Sequence, residues 1–505
     1  MNNKHRAPRP PPPLIYNLFP PLAGEVDHWL PHAERAAAMG FNWIFLNPIH
    51  VTGASGSLYA IKDYEKFNLA FFPYGHPKAQ QARFARFAAD CRAIGLKVIV
   101  DLVINHTAYD NPLTRDHREW YKLRCDGTIR SPGAIDASAP GGYVTWGDLS
   151  EIDNADSPRR DELWEFWWRL VERYLDAGVG GFRCDAAYKV PEDLWRLLIG
   201  RARERCPGIV FFAETLGCQL EDTLRLGTIH DYVFHSGKWW NYRDSWFLEQ
   251  ANLLAAAGSR SVGFPESHDT RRLAAEWGGD RDRAVQHYAL NALAASGVMI
   301  PVGFEYGFRR KPHVVHTRPH DYEGAHYDLT DAIRSINRLK RIHPMLGAEG
   351  RLDAIDAGSD DALALLKSPP PSAGSASAQT AQATHANGAD RAEGSDEANE
   401  TNGSPSAEAD GPVLMIFNRS DQNLELDLDP LLARAGAPAS SGATWGVSAA
   451  ASATAANSAN PTIPIPADSA ASEAASGARG ERPRRLRLSR YGLAVFRLPR
   501  PGEPT

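Results

Sequence analysis

Four short, strand-like apolar runs in this chain carry carboxylates: DLVINH at 101–106, GFRCD at 181–185, FFAET at 211–215 and ESHD at 266–269. Carboxylates in such runs fit a parallel barrel, which delivers the C-terminal ends of all its strands to a single rim. Asp101, Asp185, Glu214 and Asp269 are therefore expected to meet at one mouth. Eight candidate strands, at 14–19, 43–46, 96–103, 179–185, 210–214, 231–234, 261–264 and 298–302, alternate with amphipathic helical stretches. No glycine-rich dinucleotide turn follows the first of them, so a (β/α)8 TIM barrel is expected rather than an open doubly wound sheet. In the helical stretch 161–178, Leu163, Trp167, Leu170, Val171 and Tyr174 share one face, the spacing of a helix packed against the barrel.

The 505 residues exceed what one core usually supports, so further units are expected around the barrel. Residues 1–13 form a proline-rich lead, read as extended and disordered. The barrel is assigned to 14–106 and 156–345. The intervening 107–155 is too long for an ordinary loop between strand and helix, and is rich in Gly, Pro, Asp and aromatics. Its sequence suggests irregular structure with one hairpin. From 346 to 505 the helical alternation stops and short β-like runs follow, at 362–367, 413–418, 424–428, 486–488 and 493–498, as in an antiparallel C-terminal β-sandwich. Ala/Ser/Gly-rich tracts at about 368–411 and 447–480 interrupt it. They offer too little apolar surface to offset ordering entropy and are expected to be disordered insertions.

A formal net charge of −6 with no basic cluster argues against a nucleic-acid partner. No run approaches the roughly 20 apolar residues of a membrane span, and the N-terminus lacks the apolar core of a signal peptide. Cys91, Cys125, Cys184, Cys206 and Cys218 are odd in number and lack metal-ligand spacing. A soluble cytoplasmic protein with reduced thiols is expected. The 13 Trp, 16 Tyr and 19 Phe suit a sugar-stacking cleft and a large core alike.

Order, spacing and residue types of the four segments resemble the conserved regions of glycoside hydrolase family 13, the α-amylase superfamily, over about residues 14–345. The resemblance implies a retaining, α-glucan-active hydrolase or transglycosylase of carbohydrate metabolism. Its chemistry needs two carboxyl groups on neighbouring mouths, one a nucleophile and one an acid that later acts as base. By this resemblance Asp185 is the nucleophile, Glu214 the general acid/base and Asp269 the third catalytic carboxylate, which binds sugar hydroxyls. His106 and His268 would be hydrogen-bond partners of the same sugar. Arg183, which shares strand parity with Asp185, would hold it ionised and oriented. Asp101 is read as a brace for Arg183. The run GSLYAIKDY at 56–64 resembles the region after the second strand, which makes Tyr59 a stacking platform for the sugar, with a packing tyrosine as the alternative. At 295–307, ASGVMIPVGFEYG matches the eighth-strand region, where Gly303 and Glu305 shape the mouth. The segment 107–155 corresponds to the family's small domain B.

Departures from the family pattern carry information too. The nucleophile run continues Ala186-Ala187-Tyr188-Lys189, without the usual Lys-His pair, and Ser267 stands where Asn is usual. Asn105 occupies the place of a calcium ligand and Asp148 offers another, but an oxygen cage needs six to eight ligands. No cofactor is therefore expected, calcium included, and no site residue is assigned to a metal. The run Tyr188-Lys189-Val190-Pro191 before EDLWRLLI is similar to bacterial maltosyltransferases that use maltose 1-phosphate, a second reading of the activity. A third is a non-catalytic amylase-like scaffold, which the retention of all three carboxylates disfavours. The expected partner is an α-glucan or maltooligosaccharide, with the oligomeric state left open.

Overall fold

The computed structural model describes residues 11–135, 140–370, 411–436, 445–447 and 485–498. It divides into two compact units, Met1–Asn241 with Ser259–Ile342, and Tyr242–Gly258 with His343–Thr505.

The first unit is a closed barrel of eight parallel strands: Leu14–Leu18, Trp43–Leu46, Lys97–Leu102, Gly181–Cys184, Val210–Ala213, Tyr232–Phe234, Ser261–Gly263 and Gly297–Pro301. Each corresponds to one of the eight apolar runs expected from the sequence. Neighbours in the barrel are neighbours in the chain, and the last strand closes on the first, Leu14 opposite Val298. The carbonyls of Pro12 and Pro13 already accept hydrogen bonds, from Asn42 Nδ2 at 3.0 Å and Val298 N at 2.9 Å, so the barrel edge begins before the first strand.

Alternation along the strands sorts the side chains into two layers. Ile15, Phe45, Ile99, Phe212, Phe234, Val262 and Met299 belong to one buried interior cluster, the packed core that fills a barrel of this size. The opposite parity faces the helices: Phe182 stacks on Phe211 at 5.2 Å and approaches Tyr174 of the helix Arg160–Asp176 at 6.2 Å. That helix buries Leu163, Trp167, Leu170, Val171 and Tyr174, the five residues its periodicity singled out.

Between the third strand and this helix, His106–Ala108 pairs antiparallel with Leu149–Glu151, and Gly133–Ile135 with Tyr143–Thr145. The first ladder sets His106 opposite Glu151, so the chain leaves the mouth and returns to it at the same point. Ala60, Ala108 and Leu149 form a small buried cluster, with Trp146 packed on it, that ties this segment to the loop bearing Tyr59.

The second unit is an antiparallel five-stranded sheet in the order Arg351–Ile355, Ala362–Ser368, Val413–Asn418, Leu493–Arg497, Trp445–Val447, with a separate pair Leu424–Asp427 and Arg485–Leu488. Leu414, Ile416 and Phe496 of the sheet share a core with Leu426, Leu486 and Leu488 of the pair. The helix Trp246–Ala256 belongs to this unit, and its Asn252 side chain both donates to and accepts from the Leu352 backbone, at 2.9 and 2.8 Å. The low-complexity tracts at 368–411 and 447–480 lie, except at their edges, outside the described residues, as do residues 1–10 of the proline-rich lead.

Candidate active site

Strand register brings the carboxylates together. Arg183 sits level with Asp101 on the third strand and Cys184 with Ala213 on the fifth, so Asp185 and Glu214 follow at neighbouring strand ends. A single guanidinium joins them. Arg183 Nη1 donates to both Asp101 oxygens at 2.7 Å and to Asp185 Oδ1 at 2.9 Å, while Nη2 lies 3.9 Å from Glu214 Oε2. All four side chains are buried. Burial alone would push Arg183 towards the neutral form, but the surrounding carboxylates outweigh it and hold the guanidinium charged.

The two flanking acids respond differently from ordinary carboxyls. Burial raises Glu214 to about 7, against the pull of Arg183 and with the help of the Asp185 charge. Its oxygens nonetheless have fixed partners: Leu216 N donates to Oε1 at 2.5 Å and Ala186 N to Oε2 at 2.9 Å. Ala186 reaches that position with φ of 40°, a left-handed conformation costly for a residue with a Cβ. Burial likewise raises Asp101 to about 6 despite its bonds to Arg183.

Tyr59 closes the donor end of this network. Its hydroxyl donates to Asp101 Oδ2 at 2.8 Å, accepts from Asn47 Nδ2 at 3.0 Å, and lies 2.7 Å from His268 Nε2. Burial and the Asp101 charge raise Tyr59 well above its ordinary value, so the phenol stays neutral. Because its one proton points to Asp101, the proton between Tyr59 and His268 is assigned to Nε2, which also lies 2.9 Å from Asp269 Oδ2. The Tyr59 and His268 rings are stacked at 5.8 Å and 10°.

Asp269 stands apart from the other acids. Its side chain is 55% exposed. Desolvation raises its pKa, but the charge and hydrogen bond of His268 prevail and hold it down to about 2. His106 is buried, lowered by that burial, and neutral. The Tyr59 backbone approaches it without closing a bond of good geometry, and neither ring nitrogen has a hydrogen-bond partner among the described residues. A ligand hydroxyl would satisfy them. The structure thus places Tyr59, Arg183, Asp185, Glu214, His268 and Asp269 in one connected network, with His106 packed at its edge against Trp146.

The Glu266–Arg272 pair escaped sequence reasoning, while Asn105, Gly303 and Glu305, singled out there, take on specific contacts. Asn105 Nδ2 donates to the Asp185 backbone carbonyl at 2.8 Å and to its carboxylate at 3.3 Å. Glu266 and Arg272, both buried, form an ion pair at 2.7 Å that brackets the loop carrying His268 and Asp269. Glu266 also accepts from Leu273 N at 2.7 Å, and Arg272 donates to the Val302 carbonyl at 2.8 Å. No periodicity marks a pair six residues apart in a loop. Glu305 is fully buried, accepting from the Tyr16 hydroxyl at 2.6 Å and pairing with Arg35 at 3.1 Å. Gly303 precedes it with φ of 91°, where a Cβ would lie 2.1 Å from the Phe308 ring, so glycine is required there.

A calcium cage finds little here. Asn105 has committed its amide nitrogen to Asp185, which leaves Oδ1 as the free donor atom. Among the described residues no group of three or more His, Cys, Asp or Glu is placed to hold a metal. Among the described residues, the side-chain donors around Asn105 fall short of a site of six to eight oxygens.

Fold and site together define a (β/α)8 barrel protein with a cluster of carboxylates at the mouth of its barrel. The family model for the glycogen debranching enzyme glucanotransferase domain matches residues 15–123. The α-1,4-glucan:maltose-1-phosphate maltosyltransferase of Burkholderia pseudomallei is 26% identical over 365 residues, covering 70% of this chain and 31% of that protein. Its counterpart in Corynebacterium glutamicum is 27% identical over 403 residues, covering 70% of this chain and 56% of that protein. The chain therefore spans from somewhat under a third to somewhat more than half of these relatives. Among solved structures, an α-amylase from Lactobacillus plantarum superposes with a TM-score of 0.59 at 20% identity, covering 82% of this chain and 90% of that one. The resemblance to glycoside hydrolase family 13 holds, and with it the likeness to the maltose-1-phosphate maltosyltransferases.

Among the described residues no helix is long and apolar enough to cross a membrane.

Proposed function

We propose that this protein is a retaining α-glucan-active enzyme, a hydrolase or transglycosylase that works through a covalent glycosyl intermediate on Asp185. The observation that carries this reading is the pairing of Asp185 with Glu214 at adjacent strand ends, where Arg183 touches Asp185 and burial raises Glu214 to about 7. One carboxylate is held by a cation and the other keeps its proton near neutrality, the division of labour that retention requires.

In the first step an Asp185 oxygen bonds to the anomeric carbon as the glycosidic C–O bond breaks. Glu214 gives its proton to the departing oxygen. In the second, Glu214 takes a proton from water or a sugar hydroxyl, whose oxygen bonds to the anomeric carbon as the ester bond to Asp185 breaks. Positive charge grows on the ring in the transition state of each step, and Asp269, ionised and free to accept sugar hydroxyls, is placed to stabilise it. Tyr59 and His268 form the stacked surface beside it, and His106 offers two ring nitrogens to further hydroxyls.

A second reading, transfer of maltose from maltose 1-phosphate, has its own support. The curated relatives carry that activity in their names. The Lys189 ammonium lies over the Trp146 and Tyr188 rings, 5.8 and 5.3 Å from their centroids, and Trp146 also packs on His106. Lys122 and Arg130 add positive charge nearby and share one carboxylate, Glu151. Such a surplus suits a phosphate leaving group. Incubating the protein separately with maltose 1-phosphate, maltooligosaccharides, trehalose and sucrose, then separating the products, tests both readings. Phosphate release from the first donor alone would establish the second reading, and no turnover of any α-glucoside would sink both.

A further inference from the structure

Trp239 ends a short 3-10 turn, Gly237–Trp239, directly after the sixth strand and so on the mouth side of the barrel. Both of its neighbours are anchored. Lys238, 5% exposed, pairs with Glu276 at 2.6 Å. The Trp240 ring lies parallel to His235 at 4.4 Å and 2°. Gly237 N donates to His235 Nδ1 at 2.8 Å, and a Cβ at Gly237 would come within 2.1 Å of Asn291 Oδ1, so the turn has no room to shift. Out of this fixed frame Trp239 projects with 52% of its surface in water.

One edge of the exposed indole meets Phe264 at 6.3 Å and 83°. Phe264 lines the same cavity as Glu214, His268 and Asp269. The fifth strand, which carries Glu214, pairs directly with the sixth, Phe212 opposite Tyr232. Glu214 gives its proton to whatever leaves and takes one from whatever arrives, so the departing or accepting group lies on its side of the reacting carbon. Tyr59 and His268, stacked on one another in the loops after the second and seventh strands, are on the side assigned above to the donor ring.

We propose that Trp239 is the stacking platform for the acceptor sugar, holding a pyranose ring against the glycosyl-enzyme in competition with water. This rests on the retaining reading above and deepens it, because a rigid, half-exposed indole at the end of the strand next to that of the acid/base favours transfer to a sugar hydroxyl. A pyranose packs its axial C–H face on an aromatic surface, whereas water gains nothing from it.

The test uses the full chain with maltosyl fluoride as donor and maltotetraose as acceptor, following fluoride release and transfer product together. In W239A the acceptor concentration that gives half-maximal transfer should rise about tenfold, the loss of one aromatic stack. W239F, which keeps an aromatic face, should lie within about twofold of the parent. An unchanged half-maximal concentration in W239A, or equal losses in both variants, would overturn the platform. Titration calorimetry of maltotetraose into D185N and D185N/W239A decides it independently of turnover: about tenfold weaker binding in the second supports the platform, and equal binding overturns it. Absence of fluoride release from the parent would sink the retaining reading instead, leaving the calorimetric result to judge Trp239.

Discussion

Two sides of the barrel mouth hold their carboxylates in opposite ways. At the ends of the third, fourth and fifth strands, Asp101, Asp185 and Glu214 are buried around Arg183, and burial raises Asp101 to about 6 and Glu214 to about 7. On the loop after the seventh strand, Asp269 is 55% exposed and its His268 partner holds it down to about 2. The difference shows that charge at this mouth is set by context rather than by residue type. In the proposed mechanism one side would store a proton for transfer, and the other would present a negative charge to the substrate.

The strongest way to break this contrast is at Asp185. Asp185→Ala should lower turnover on the order of 10⁴-fold or more, as loss of a covalent nucleophile does. The fold should survive, and a fluorinated glycosyl donor should label Asp185 in the parent. Peptide mapping that finds the label on Asp269 or Glu214 would overturn the division between the two sides.

Glu214 gives the next largest effect. It must be protonated to act as acid, so activity should hold below pH 7 and decline as pH rises through about 7, where the raised carboxyl ionises. Glu214→Gln should lose roughly 10²- to 10⁴-fold on donors with poor leaving groups. It should retain glycosylation by glycosyl fluorides, whose leaving group needs little protonation, and its profile should lose the alkaline limb. Equal losses on both donor types would remove Glu214 from the acid role.

The loop of the seventh strand sharpens the comparison by separating stability from chemistry. Glu266→Gln leaves the buried Arg272 without its carboxylate, a change that costs about 3–5 kcal/mol when a buried pair is broken on one side. Melting temperature should fall by several degrees. Asp269→Asn removes a half-exposed carboxylate and should leave the melting temperature nearly unchanged while lowering kcat. If the two variants behave alike in both measurements, the bracket and the substrate-facing acid do not have separate roles.

What was legible in the sequence follows from what has a period. Each barrel strand is an apolar run whose two faces are both buried, and all eight were visible with ends displaced by a residue or two. In the second unit the strand Arg351–Ile355 was missed, because Leu352 alone of its five residues is buried and it carries two charges. The helix Leu428–Arg434 is a single short element that local composition does not announce. At the site, residues within motifs were readable by resemblance, whereas Asn105 as a donor to Asp185, the left-handed Ala186 and the Glu266–Arg272 pair depend on distances between segments. Trp239 is the same kind of case: its neighbour Trp240 has an identical side chain, and only the packing of Trp240 on His235 tells them apart.

The smallest expected effect concerns calcium and tests whether the buried side is complete without an added cation. Arg183 already supplies the positive charge among Asp101, Asp185 and Glu214, and Asn105, at the position of a family calcium ligand, spends its amide nitrogen on Asp185. Its Oδ1 remains as one unpartnered donor atom, far short of a cage of six to eight oxygens. We therefore propose that the protein is active and stable without calcium. A bound ion would add RT ln(1 + [L]/Kd), about 2.7 kcal/mol at a hundred times its dissociation constant, enough to raise the melting temperature by at least a few degrees. Melting curves in excess chelator and in millimolar calcium should coincide. A separation of several degrees that Asn105→Ala abolishes would show that Oδ1 is a ligand, and that the buried side balances its carboxylates with two cations rather than with Arg183 alone.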